Sequence, residues 1–158
     1  PNVAQGLWQT MPDAPAPDDC EPVGSTHNVD SLHQHVDVRV ARGMFGFSGT
    51  GTPSGDDRSM LWARMPEVHH DAGALAIIAD YMPSALGNAL GHVTSCTSLD
   101  NTIRFANLGP SEWILCDNRI EFIGNGFGYG RVNMWSQTGQ LLATASQSMI
   151  VRVPEKAD

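Results

Sequence analysis

The sequence predicts an α+β fold: a long antiparallel β-sheet wrapped around one central α-helix. Three observations lead there. A single stretch near the middle of the chain carries a helical apolar period. Strand-like alternation lies on both sides of it. The strand candidates after it are long, separated by short turn-forming clusters. Two strands, one helix, then three or four long strands fit an antiparallel sheet with a helix packed on its face.

The elements read in order as follows. Val36 to Gly43 alternates strictly and predicts a strand, and Ser48 to Asp57 is rich in Gly, Ser, Thr, Pro and Asp and predicts a loop. Ser59 to Met65 predicts a second strand, ended by Pro66. Asp71 is placed to cap a helix, along which Leu75, Ile78, Met82, Leu86 and Ala89 recur at helical spacing. Pro83 falls inside that pattern and predicts a kink or an early end. Thr94 to Ala106 reads as one alternating strand, with Leu99, Ile103 and Phe105 on one side and Ser98, Asp100 and Thr102 on the other. Glu112 to Ile123 and Phe127 to Trp135 follow as long strands. Gly124, Gly126, Gly128 and Gly130 between and within them predict a bulge or sharp bend. Ser136 to Gly139 is a turn into a last strand, Gln140 to Val153.

Ahead of these elements the chain is irregular. Met11 to Asp19 holds three prolines without an apolar period and reads as an extended linker. Residues 20–35 stay polar.

Composition narrows the function classes. Of 158 residues, 41% are apolar, enough for a core, and only 16% are charged, fewer than a disordered chain carries. The net charge of −8, with Lys156 the sole lysine, argues against nucleic acid and against an anionic membrane surface. No apolar run reaches the roughly 20 residues of a membrane span. Three widely spaced cysteines, Cys20, Cys96 and Cys116, suit neither a zinc motif nor a disulfide framework. Free thiols, no signal-peptide pattern and a cytoplasmic location are the expectation.

A few residues could carry chemistry. Gln147 sits among Leu141, Ala143, Ala145, Met149, Val151 and Val153 on one face of the last strand. A buried amide costs roughly 1–3 kcal/mol unless hydrogen-bonded, so Gln147 needs a specific partner, either structural or functional. Asp80 lies off the apolar stripe of the helix, in line with Ala76, Ser84 and Gly87. Those small residues would let a backbone or a ligand come close; the alternative is an ordinary solvated charge. Ser98 has no nucleophile elbow around it, and polar alternation alone would account for Ser98 and Asp100. His27, His33 and His35 form a weak metal pattern in a polar loop. The glycines at 124–130 precede no helix and fail as a phosphate loop. His69, His70 and His92 flank the helix, where a dehydratase would pair a His with an Asp.

Several of these stretches resemble one family. Gln9 to Asp18 is similar to the linker between the two halves of acyl-CoA thioesterase II and its peroxisomal relatives. Ser98-Leu-Asp100, Glu112-Trp113, Gln137-Thr-Gly139, Ala145-Ser-Gln147 and Ala79-Asp80 resemble the second hotdog domain of the same double-hotdog proteins. The likeness runs over residues 8–153 and is weakest over 20–70.

The resemblance implies a hotdog fold and hydrolysis of acyl-CoA to free acid and CoA. It implies that Asp80, Ser98 and Gln147 orient and activate a water, with backbone N–H groups near the helix start polarising the carbonyl. It implies no metal and no organic cofactor. It also implies a division of the chain. Residues 1–10 would be a remnant of the closing strand of a missing first hotdog, 11–35 linker and loop, 36–154 the hotdog, and 155–158 a tail. The expected partners are acyl-CoA and either that missing half or a second copy, covering an apolar surface or an unpaired edge. Two other readings stay open: a non-catalytic half that binds acyl-CoA or serves as scaffold, and a hotdog hydratase or dehydratase.

Overall fold

The computed structural model describes residues 3–24 and 31–152; His27, Val153 and Lys156 lie outside them. In chain order the strands before the helix are β1 (Glu21–Pro22), β2 (Asp37–Arg42), β3 (Met44–Phe45), β4 (Thr50–Gly51) and β5 (Arg58–Arg64). The helical segments are α1 (Ala72–Ala79) and α2 (Ala85–Leu90). After them come β6 (Ser95–Ser98), β7 (Thr102–Phe105), β8 (Ile114–Gly124), β9 (Phe127–Ser136) and β10 (Leu141–Arg152). Eight strands form one antiparallel sheet in the order β1-β2-β5-β8-β9-β10-β6, with β7 also paired to β10. Of the polar stretch 20–35, the described residues contribute β1 and a 3₁₀ turn at Leu32–His35, where the sequence predicts no regular element. The expected loop at 48–57 contains β4, which makes a small ribbon with β3.

The central helix forms as its pattern predicts. Asp71 accepts from the Ala74 N–H at 2.9 Å and caps it. Leu75, Ile78, Met82 and Leu86 are at most 1% exposed against the sheet. Burial at that level stabilises by about 1.5–3 kcal/mol for each large apolar side chain. Pro83 lies in a 3₁₀ turn, Met82–Ser84, that separates α1 from α2. The break is where proline's missing donor would otherwise interrupt the hydrogen-bond ladder.

The small residues in line with Asp80 do admit another backbone, at a different place. Gly46 N–H donates to the Ser84 carbonyl at 2.9 Å, and a Cβ on Gly87 would stand 2.5 Å from the Gly46 Cα. The close approach is therefore made by the β3–β4 ribbon on α2.

Asn125 (φ 53°) and Gly126 (φ 74°) form a two-residue turn between the paired Gly124 and Phe127. Two left-handed residues suit the twist of a tight hairpin, and Asn-Gly supplies them at low cost. The glycine cluster thus marks a sharp bend, here a hairpin turn, and Gly130 stands opposite the register shift of β8 between Ile120 and Phe122. Gly130 has a packing role: a Cβ there would meet the Met82 sulfur at 2.9 Å.

Both faces of the sheet are covered. The helix side holds the main core, including Leu61, Cys116, Met134 and Ala143. On the other side Met60, Trp62, Trp113, Leu115 and Trp135 form a second cluster, with Met11 and Ala14 packed against it. Trp62 Nε1 donates to the Pro15 carbonyl at 2.8 Å. The proline-rich segment lies against the sheet, and its last residues, Pro17–Asp19, form a 3₁₀ turn rather than extended chain.

Candidate functional site

Asp80 is the first residue after α1, with its N–H bonded to the Ile77 carbonyl at 3.2 Å and its side chain exposed. The helix break puts it there. Gln147 stands at the centre of β10, wholly buried, opposite Gly130 of β9, which adds no side chain beside it. Ser98 ends β6 opposite Met149 of β10.

These three residues converge. Gln147 Nε2 donates to Asp80 Oδ1 at 2.9 Å. The Ser98 hydroxyl lies 3.3 Å from Gln147 Oε1 and 3.0 Å from the Asp100 carbonyl, and donates toward both. The buried amide that the apolar strand face demanded be satisfied is satisfied at both ends. Cys96, on the same strand face as Ser98, has its thiol pKa raised by burial and secondarily by the Asp80 charge. Burial, with Asp80 again a lesser cause, pushes the neighbouring Tyr81 hydroxyl up to about 12.

Ser98 reaches this site because the chain between β6 and β7 does not keep one alternation. Ser98 pairs with Met149, whereas Ile103 and Phe105 pair with Ala145 and Ala143. Directly opposed residues share a face, so Ser98, Ile103 and Phe105 all point to the helix side. The register moves by one residue across Leu99–Asn101, which is a bulge. The single-strand reading of Thr94–Ala106 is thereby corrected: Leu99 is 56% exposed and is not part of a common core face with Ile103. Neither Gly nor Pro marks the bulge in the sequence. Asp100 does more than continue a polar alternation: its carboxylate accepts from the Ser148 N–H at 2.8 Å.

The histidines are engaged elsewhere. His33 Nδ1 lies 2.7 Å from the Tyr81 hydroxyl, beside a cavity of about 470 Å³ walled by Val23, Val38, Phe45 and Phe47 at the β2 end of the sheet. His35 pairs with Glu67 at 3.4 Å. His70 Nε2 accepts from the Met65 N–H at 3.0 Å, and its Nδ1 lies 2.7 Å from the Ser111 carbonyl, to which it donates. His92 turns back on the Val93 carbonyl at 3.0 Å. Among the described residues no histidine bonds to Asp80, and no three His, Cys, Asp or Glu side chains are grouped to hold a metal ion.

Residues 17–151 match the family model described as "Acyl-CoA thioesterase C-terminal domain". The chain belongs to that family. Solved structures agree on the hotdog fold. A candidate thioesterase from Novosphingobium aromaticivorans is 32% identical, with TM-score 0.75 over 96% of this chain and 58% of that one. A hotdog protein of unknown function from Alicyclobacillus acidocaldarius is 23% identical, with TM-score 0.80 over 98% of this chain and 59% of its own. Acyl-CoA thioesterase II TesB2 from Mycobacterium marinum is 23% identical, with TM-score 0.67 over 99% of this chain and 61% of its own. The chain thus spans about three-fifths of the length of these relatives. No curated protein matches it. No helix among the described residues is long and apolar enough to cross a membrane.

Proposed function

We propose that this thioesterase-family chain is the C-terminal half of a double hotdog that hydrolyses fatty acyl-CoA to free acid and CoA in the cytoplasm. The observation that carries the reading is the convergence of Asp80, Ser98 and Gln147 through one buried amide. Gln147 holds one carboxylate oxygen of Asp80 and leaves the exposed side of that carboxylate to meet a water.

The chemistry needs little else. Asp80 takes a proton from the water as its oxygen attacks the thioester carbonyl carbon. Ser98, exposed beside that carboxylate, orients the water, and the buried Gln147 holds Asp80 and Ser98 in place by its two hydrogen bonds. The tetrahedral intermediate then collapses, the C–S bond breaks, and the CoA thiolate leaves and recovers the proton. A thiolate leaves readily, so no covalent nucleophile is required.

The missing partner belongs to the same reading. Asp80 and Ser98 are exposed at the edge of the sheet formed by β6 and β7, where Phe105 is 43% exposed on the helix side. A first hotdog, or a second copy of this one, would cover that edge and complete the substrate site.

The test is release of free thiol from a panel of acyl-CoAs by the full-length protein containing this chain, followed with a thiol reagent. Release above the uncatalysed rate is expected. Tight acyl-CoA binding with no release would leave a binding half instead, and hydration of an enoyl-CoA without thiol release would make the protein a hydratase.

A further inference from the structure

We propose that Asp100 is a positioning residue for this site, acting through Ser98 and β10. The inference rests on the thioesterase reading for its kinetic consequence, but its structural basis is independent of it.

At the Leu99–Asn101 bulge the edge of the sheet changes register by one residue. Leu99 N–H still donates to the Ser148 carbonyl at 2.8 Å. In an unbroken ladder the opposite bond would return from Ser148 N–H to the Leu99 carbonyl. Here the Asp100 carboxylate takes that N–H instead, through Oδ1 at 2.8 Å. A side-chain acceptor thus replaces a backbone one where the bulge has moved the backbone away. A charged acceptor makes the stronger hydrogen bond, roughly twice a neutral one.

The same residue also fixes Ser98. Its backbone carbonyl accepts from the Ser98 hydroxyl at 3.0 Å, while Gln147 Oε1 stands 3.3 Å from the same hydroxyl. A hydroxyl has one proton, so these two acceptors compete for it. Asp100 therefore sets where Ser98 sits and how strongly it engages Gln147. Its carboxylate pins the bulge to β10 beside Gln147, and its carbonyl holds the serine rotamer. Without the pin, Ser98 is free to lose the face it shares with Gln147, because a one-residue slip of an edge strand turns its side chains over.

The test compares D100A, D100N and D100E in the full-length protein, with S98A and S98A/D100A. D100N keeps an oxygen that can accept from Ser148 N–H and should hold kcat within about twofold of wild type. D100A and D100E lose or displace that oxygen. In both, kcat should fall by about tenfold or more with KM unchanged, as expected when a reacting group shifts by a fraction of an ångström. The double variant should lose little beyond S98A alone, since coupled residues are non-additive. Unchanged kcat in both D100A and D100E, or full additivity with S98A, would overturn the proposal.

A readout without substrate separates this from failure of the thioesterase reading. The Ser148 amide should lose hydrogen-exchange protection in D100A and keep it in D100N, while Met149 N–H, directed at β9, stays protected in both. If wild type released no thiol but this exchange pattern held, only the catalytic reading would fall. Equal Ser148 protection in wild type and D100A would overturn the positioning role whatever the activity. D100E carries the comparison if D100A does not fold.

Discussion

Gln147 Nε2 donates to Asp80 Oδ1 at 2.9 Å and joins the centre of the last strand to the break in the central helix. The bond settles two problems together. A wholly buried amide finds a partner, and an exposed carboxylate is held in one orientation. Q147A removes the amide, opens a small void and leaves Asp80 unheld. It should lower stability by about 1–3 kcal/mol in denaturant melts. It should also lower kcat by about tenfold or more through loss of alignment.

Q147E tests the same bond differently. It keeps the shape but sets a second carboxyl group against Asp80. Two carboxylates at that distance cannot both ionise freely, so the pair binds a proton over a higher pH range. The acid limb of the pH–rate profile should move to higher pH. An unmoved limb would mean that Asp80 is not the base.

The α2–ribbon contact sets a packing limit. A Cβ on Gly87 would meet Gly46 backbone on one side and the His92 carbonyl, at 2.9 Å, on another. G87A should therefore cost about 1–3 kcal/mol, the usual penalty of overpacking, and lower the melting temperature. The disturbance would fall on α2, which follows Asp80 across the helix break.

Much of this architecture was legible in the sequence, and the illegible parts have physical causes. The helix was readable because Leu75, Ile78, Met82 and Leu86 pay for one buried stripe and Pro83 declares the break. Gln147 was readable because an amide on an apolar face is anomalous. The bulge at Leu99–Asn101 was not readable: Ser98, Asp100 and Thr102 keep a plausible alternation, and only pairing with β10 shows that it fails. The role of Asp100 was hidden with it. The outer cluster was missed for a different reason. Met11, Ala14 and Cys20 are spaced among prolines without a period, so their packing beside Trp62 depends on the sheet being present. Asn125-Gly126 carried its hairpin signal in plain view, diluted by the glycines around it.

Alkaline stability follows from two buried acids. Burial, with Asp117 as a lesser cause, raises the Cys116 thiol from 9.0 to about 12, and burial raises the Tyr81 hydroxyl from 10.0 to about 12. Both folded values lie above the unfolded ones. The neutral forms therefore favour folding fully below about pH 9, and that contribution is lost as pH climbs toward about 12. Unfolding free energy measured between pH 8 and pH 11 (chosen to bracket the thiol's unfolded value) should fall, and C116V should flatten part of the fall.

The most direct measurement is thiol release from acyl-CoA by D80N in the full-length protein. The substitution keeps the size of the side chain and lets an amide meet Gln147, but removes the base. General-base catalysis contributes about 10²–10⁴-fold. Loss of kcat on that scale, with a melting temperature near that of wild type, is the result expected if Asp80 activates the water. Wild-type kcat in D80N would contradict it and remove Asp80 from the mechanism.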